Sequence, residues 1–478
     1  RVILVILSAF ALGFWSEVFA ESFGCPKPYS SHNPMSATSF AKTYGGTSYS
    51  YVRASSVRQT SDGGYIVAGY TNSFGAGYTD IILIKTDANG NIIWAKTYGG
   101  TGGDWAFSVQ QTSDGGYIVA GETNSFGTGS DDIILIKTDA NGNIVWAKTY
   151  GGTGYDWVFS VQQTSDGGYI VTGSTYSFGA GYNDIILIKT DANGNIVWAK
   201  TYGGTSLDWV SSVQQTSDGG YIVTGSTYSF GAGYYTDIFL IKADANGNVI
   251  WAKTYRGTYD DYASSVQQTS DGGYIVSGST NSFGAGSYDI FLMKTDANGN
   301  IIWAKTYGGT DDDYAYSVRQ TSDGGYIVAG YTRSFGAGVF DIFLVKTYAN
   351  GNIIWAKTYG GTKVDGASFV QQTSDGGYIV VGGTYSFGSV GDENIFLIKT
   401  DANGNIGSCS IVQNASPTVN TVSPTVNTPS LSVSSVSPIV NTVSPTVTSP
   451  TFTVSEPCPL SISEFCQVVS GLITPYKG

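Results

Sequence analysis

Short apolar runs recur along the chain at a fixed interval, each joined to the next by a small polar turn. In one copy Ser108 to Thr112 (SVQQT) reads as a strand, followed by Ser113-Asp114-Gly115-Gly116, a tight turn whose glycines permit positive φ. Tyr117-Ile118-Val119-Ala120-Gly121 is a second strand and Asp132 to Lys137 (DIILIK) a third. Asp139-Ala140-Asn141-Gly142-Asn143 carries the Asn-Gly pair of a hairpin, and Ile144 to Lys148 (IVWAK) is the fourth strand. The second and third strands are almost continuously apolar, without the alternation of a half-solvated strand, so both of their faces are expected to be buried. No intervening segment keeps a 3.6-residue apolar period, so helices are not available to cover those faces.

The phrase Ser-Asp-Gly-Gly-Tyr-Ile-Val sets the period. Its aspartate falls at Asp62, Asp114, Asp166, Asp218, Asp271, Asp323 and Asp375, with spacings of 52, 52, 52, 53, 52 and 52. A period of this size signals a solenoid, propeller or array. Seven four-stranded units with two buried faces are best satisfied by an all-β, seven-bladed β-propeller, in which radial packing covers both faces of every blade. A right-handed β-solenoid is the alternative. The two ends of the repeat favour the ring. Trp94, Trp146, Trp198, Trp251, Trp303 and Trp355 mark the fourth strand of six units, whereas the seventh unit runs out at Asn405 without one. Phe40-Ala41-Lys42-Thr43-Tyr44 matches the missing strand, with Phe in the tryptophan position. The N-terminal strand is therefore expected to complete the last blade and close the ring.

Thr-Asp-Ala-Asn-Gly-Asn-Ile-Ile-Trp94, with tryptophan four residues after glycine, resembles the tryptophan-docking repeat of quinoprotein-type propellers, over about Phe40 to Asn405. The resemblance implies a propeller blade. The vicinal cysteines and metal-binding carboxylates that quinoproteins place around their cofactor have no match in this sequence. The near-identical, glycine-rich units are also similar to secreted bacterial and archaeal surface propellers.

Composition narrows the function. Glycine, 65 of 478 residues, is about twice the usual share, and the recurring turns account for most of it. Hydrophobic residues at 41% exclude disorder of the whole chain, and charged residues are only 12%. With 23 basic and 36 acidic residues the net charge is −13, a field that repels phosphate backbones and anionic lipid, so no nucleic-acid partner is expected. The one histidine, His32, lies outside the repeats, which removes Ser-His-Asp catalysis and a poly-histidine zinc site from the repeated body.

Three rings of side chains follow from the period. Gln59, Gln111, Gln163, Gln215, Gln268, Gln320 and Gln372 either line a central channel or hydrogen-bond between blades. Asp104, Asp156, Asp208, Asp261, Asp313 and Asp365 could hold a hard cation through oxygen ligands at one mouth, or cap turns by accepting backbone N–H bonds; Arg53 stands near the place in the first unit. Asp80, Asp132, Asp184, Asp237, Asp289 and Asp341, with Asn394 in the last unit, are expected to pair with lysines of their own blade such as Lys85 and Lys96. Asp-Ala-Asn-Gly-Asn is read as a hairpin turn, not a calcium loop, because its glycine is fourth and no downstream glutamate follows. Trp105, Trp157, Trp209, Tyr262 and Tyr314 either stack on sugars at a mouth or pack the top of the ring. Because every blade offers the same groups, no catalytic residue and no cofactor are expected: catalysis needs an asymmetric set of groups at one place.

The ends differ from the body. Residues 1–20 read as an export signal or a retained apolar segment, the only route to a membrane, and 21–38 as an extension. The propeller is assigned to 39–406, a Ser/Thr/Pro/Val-rich extended arm to 407–457 and a small cysteine-containing module to 458–478. Repeated proline limits the arm to a stalk or to edge strands laid on a neighbouring subunit. Cys25, Cys409, Cys458 and Cys466 imply two disulfides in an exported protein, with three possible pairings; ring closure favours Cys25 with Cys409 and Cys458 with Cys466. The expected protein is a secreted or cell-surface, non-enzymatic structural subunit whose partners are copies of itself or surface components. The alternative is a monomeric module binding a glycan or protein at a propeller mouth.

Overall fold

The computed structural model describes residues 39–46, 50–230, 234–388, 392–427, 429, 431–435, 439–443, 446–450 and 453–458. The assignments made above for 1–38 and 459–478 lie outside these residues. The fold is an all-β ring of seven blades. In the second blade the strands a to d are Asp104–Gln111, Tyr117–Thr123, Asp132–Thr138 and Ile144–Gly151, paired antiparallel in sequence order. Strand a is innermost, and the a strands of successive blades neighbour one another around the axis.

Sequence and burial agree on why these strands form. Strands b and c are buried at nearly every residue, as their unbroken apolar runs require. Each hydrophobic cluster is shared by consecutive blades: Ile66, Ala68, Ile81 and Leu83 of the first blade pack with Tyr117, Val119, Ile134 and Ile136 of the second. The turns behave as their chemistry dictates. Gly63 and Gly90 adopt φ of 83° and 75°, a region that costs a residue with a Cβ but not glycine. Asp87 Oδ1 accepts from the backbone N–H of Asn89 and Asn91 at 2.9 and 2.8 Å, so the Asp-Ala-Asn-Gly-Asn carboxylate closes its own hairpin.

Phe40–Gly45 pairs antiparallel with Asn394–Thr400 and supplies strand d of the seventh blade, which closes the ring as expected. At the seam Val52 N–H donates to Glu393 O at 2.9 Å, and Arg53 forms an ion pair with Glu393.

The region after Asn405 departs from the expected stalk or trans-docking arm. It runs round the outside of its own ring and adds a fifth antiparallel strand to each blade. Val412–Asn414 lies on Ile353–Tyr359, Thr418–Thr421 on Ile301–Gly308, and Thr425–Asn427 on Val249–Arg256. Ser432–Ser435 lies on Ile196–Gly203, Ile439–Thr442 on Ile144–Gly151, Thr446–Thr448 on Ile92–Gly99, and Thr453–Ser455 on Phe40–Gly45. From Thr418 onward the strands start every seven residues, a length of extended chain of roughly 23 Å that carries the belt from one outer edge to the next. Pro417, Pro424, Pro429 and Pro450 fall between the strands, where no ladder N–H is required. Ala415, Val422, Leu431 and Val443 pack against the clusters between blades.

The belt corrects the favoured disulfide pairing. Its end returns beside strand Phe40–Gly45, where Glu456 pairs with Lys42 at 3.1 Å. That brings Cys458 to Cys409, and the two form a disulfide with Cα atoms 5.3 Å apart. Cys409 is therefore not available to Cys25, nor Cys458 to Cys466.

Candidate functional site

On the face carrying the Ser-Asp-Gly-Gly turns, the glutamine ring joins blades. Gln111 Oε1 accepts from Ser61 N–H of the preceding blade at 2.8 Å, and the same bond recurs around the ring to Gln59, which accepts from Ser374 N–H across the seam. The neighbouring position forms a second ring. Gln110 Oε1 accepts from Gln163 N–H at 2.7 Å, and Gln162, Gln214, Gln267 and Gln371 do likewise to the following blade. Arg58 and Arg319 interrupt this second ring, because guanidinium has no acceptor.

Each turn aspartate holds a buried lysine. Lys85 Nζ lies 2.9 Å from Asp62 Oδ2, and equivalent pairs recur in all seven blades, the ammonium buried and the carboxylate exposed. This corrects the expected pairing of Lys85 with the Asp80 ring. Lys96 also turns elsewhere, donating at 2.7 Å to Asn143 Oδ1 of the next blade.

At the opposite mouth the Asp104 ring is built into the blades. Asp104 opens strand a and accepts from Thr123 Oγ1, from Ser125 Oγ at 2.7 Å and from Gly100 N–H at 2.9 Å. Asp156, Asp208, Asp261 and Asp365 repeat the set, and Asp313 accepts from Ser334 Oγ and Gly309 N–H. The equivalent place in the first blade is Val52, one residue before Arg53. Asp80 Oδ2 accepts from Gly77 N–H at 3.0 Å, and its Oδ1 has no hydrogen-bond partner among the described residues. Gly99 lies between the two rings: a Cβ there would stand 2.0 Å from Asp80 Oδ1 and 2.8 Å from Asp104 Oδ2. Burial raises the pKa of Asp80 and Asp104, and pushes Asp237 up to about 7 despite the attraction of Arg256. Among the described residues no three His, Cys, Asp or Glu side chains converge as metal ligands.

The mouth aromatics pack on one another. Trp157 meets Tyr176 at 5.4 Å between ring centroids and Trp209 meets Tyr228 at 5.5 Å. Tyr262, Tyr288, Tyr314 and Tyr331 form a continuous chain over the fifth and sixth blades, with successive centroids 6.2, 5.2 and 5.0 Å apart. Tyr78, Tyr182 and Tyr234, on the loops between strands b and c, project into solvent at 85, 77 and 97% exposure. Sequence reasoning missed the two arginines of the second ring. The signal was Ser-Val-Arg-Gln in the first and sixth units where the others, apart from Phe-Val-Gln-Gln in the seventh, read Ser-Val-Gln-Gln.

The architecture defines a seven-bladed β-propeller with a peripheral belt. No family model matches the chain. Among curated proteins it is 28% identical over 194 residues to "Regulatory protein FlaEY" of Caulobacter vibrioides, covering 34% of this chain and 20% of that protein. It is 23% identical over 427 residues to an uncharacterised WD repeat-containing protein of Acanthamoeba polyphaga mimivirus, covering 70% of this chain and 30% of that protein. The chain thus spans a third or less of the curated relatives it matches. Similar solved structures include Sqt1 from Chaetomium thermophilum, at 12% identity and TM-score 0.41, covering 69% of this chain and 79% of that one. A protein of unknown function from Bacteroides caccae is similar at 10% identity and TM-score 0.35, covering 69% and 99%. Rhamnogalacturonan lyase from Bacillus licheniformis is similar at 12% identity and TM-score 0.34, covering 79% and 76%.

Proposed function

We propose that the chain is a non-enzymatic extracellular structural protein, a ring-shaped subunit of a self-assembling surface filament whose terminal segments dock on neighbouring rings. The observation that carries this reading is the belt. Its seven short strands bind seven equivalent edges, so a belt laid down before the Cys409–Cys458 disulfide closes meets a near-identical edge on any other copy, and exchange of an identical element is a low-cost route to assembly. Two further features support it. The repeated acids and amides are engaged in bonds within and between blades, and the Cys409–Cys458 disulfide suits an oxidising compartment. Electron microscopy of the native secreted material is the test: filaments are expected, and only dispersed particles of about 50 kDa would overturn the proposal.

A second reading is favoured by the mouth aromatics: a monomeric surface module that stacks sugars on the Tyr288–Tyr314 pair. Glycan-array binding by the dispersed protein, lost in Tyr314→Ala, would support it, and a blank array would remove it.

A further inference from the structure

Three departures from the repeat meet at one point of the axis. Arg58 and Arg319 replace glutamine in the first and sixth blades, which flank the seventh. In the seventh blade Phe369 occupies the register position held elsewhere by Ser56, Ser108, Ser160, Ser212, Ser265 and Ser317. Both guanidiniums stack on that one phenyl ring, Arg58 Cζ 3.9 Å and Arg319 Cζ 4.7 Å from its centroid. Their carbons therefore lie no more than about 8.6 Å apart.

Two cations at this spacing repel each other, and no acidic group among the described residues neutralises them. Among the described residues neither arginine forms an ion pair, although the chain carries a net charge of −13. Arg58 Nη1 donates to Val57 O at 3.1 Å; Arg319 Nη1 donates to Val318 O at 2.8 Å and reaches Ser265 Oγ at 3.4 Å. A guanidinium carries five N–H donors, so most donors of both are uncommitted, and neither residue is fully closed off from solvent. Stacking on phenyl offsets part of the repulsion and fixes the two planes.

We propose that Arg58 and Arg319, positioned by Phe369, form a binding site for one small oxyanion at the turn-side end of the ring axis. The N–H donors left over by the two guanidiniums offer charge-assisted N–H···O bonds of roughly 2.7–2.9 Å to an oxyanion. Phosphate, sulfate and a carboxylate share the chemistry. The site does not depend on whether rings assemble.

The test is calorimetric titration of the full chain, at low ionic strength, with inorganic phosphate, sulfate or acetate. Arg58→Gln, Arg319→Gln and the double variant restore the repeat and give Gln111 and Gln372 N–H the acceptor their counterparts have, so they should fold with a thermal midpoint no lower than that of the parent. One saturable site is expected, weakened about tenfold or more by either substitution and abolished by both. Binding by phosphate or sulfate alone assigns the site to tetrahedral anions, and binding by acetate alone to carboxylates. No saturable binding up to about 10 mM of any of the three, or an isotherm unchanged in the double variant, overturns the proposal.

Discussion

At the scale of residues the ring is held by a few contacts made seven times. Tyr150, buried in strand d, donates its hydroxyl to Gly194 O of the next blade's hairpin at 2.7 Å, beside the docked Trp146. Tyr44, Tyr98, Tyr202, Tyr255, Tyr307 and Tyr359 make the equivalent bond. Tyr150→Phe leaves that carbonyl buried and unpaired, which should cost about 1–3 kcal/mol in chemical denaturation; an unchanged midpoint would show that water reaches the carbonyl. The lysine–aspartate pairs are asymmetric in a way that can be measured. Lys189 is buried while its partner Asp166 is exposed, so Asp166→Ala strands a buried ammonium, whereas Lys189→Met puts an apolar chain of similar length in the same slot. The aspartate variant should be the less stable by about 1 kcal/mol or more in parallel urea titrations. Both contacts lie within sequence patterns that were readable, but their partners were not: lysine and aspartate spacing along the chain does not say which carboxylate faces which strand.

At the scale of elements, strands a to d and the closing strand Phe40–Gly45 were legible because each carries its own signal, a buried apolar run between turns that demand glycine. The belt was not. Strands of three or four residues with proline between them read as a stalk, since only the edges they cover give them a partner. The seven-residue spacing of Ser-Pro-x-Val from Ser416 and Ser423, taken up again from Ser437 and Ser444, was visible, and matching that spacing to the step from one blade edge to the next is the signal that would have found it. Such strands are individually marginal, so the belt depends on the disulfide that fastens its ends, 49 residues apart. In the chain-entropy account a crosslink of that span is worth roughly 4 kcal/mol. Reduction should therefore release the belt while the ring stays folded. Limited proteolysis under reducing conditions should cut first between Ser416 and Thr451, leaving a resistant core that ends near Asn405; protection equal to that of the oxidised protein would show that edge pairing alone suffices.

At the scale of the whole molecule, the two populations of acids give a pH dependence of definite sign. Partial burial acts against ionisation of the turn aspartates, but hydrogen bonds from threonine, lysine and backbone N–H outweigh it and hold Asp62, Asp114, Asp166, Asp218 and Asp323 at about 2. Their stabilisation is complete above the ordinary carboxylate range and is lost as pH falls from about 4 towards 2. The buried acids act oppositely. Burial pushes Glu122 and Asp237 up to about 7 and raises Asp104, Asp156, Asp208, Asp261 and Asp313. A group with a raised folded-state pKa stabilises the fold most below its unfolded value, and that contribution disappears as pH climbs through the folded value. Stability should therefore increase as pH is lowered from 8 to about 4 and collapse below it, with relief of the self-repulsion of a −13 chain adding in the same direction. Calorimetric midpoints between pH 8 and 2 should peak near pH 4, and Asp237→Asn should flatten the upper limb without moving the lower one. A midpoint that falls steadily from pH 7 to 4 would mean that the buried carboxylates are ionised in the folded ring, with their repeated threonine, serine and backbone donors outweighing the loss of water.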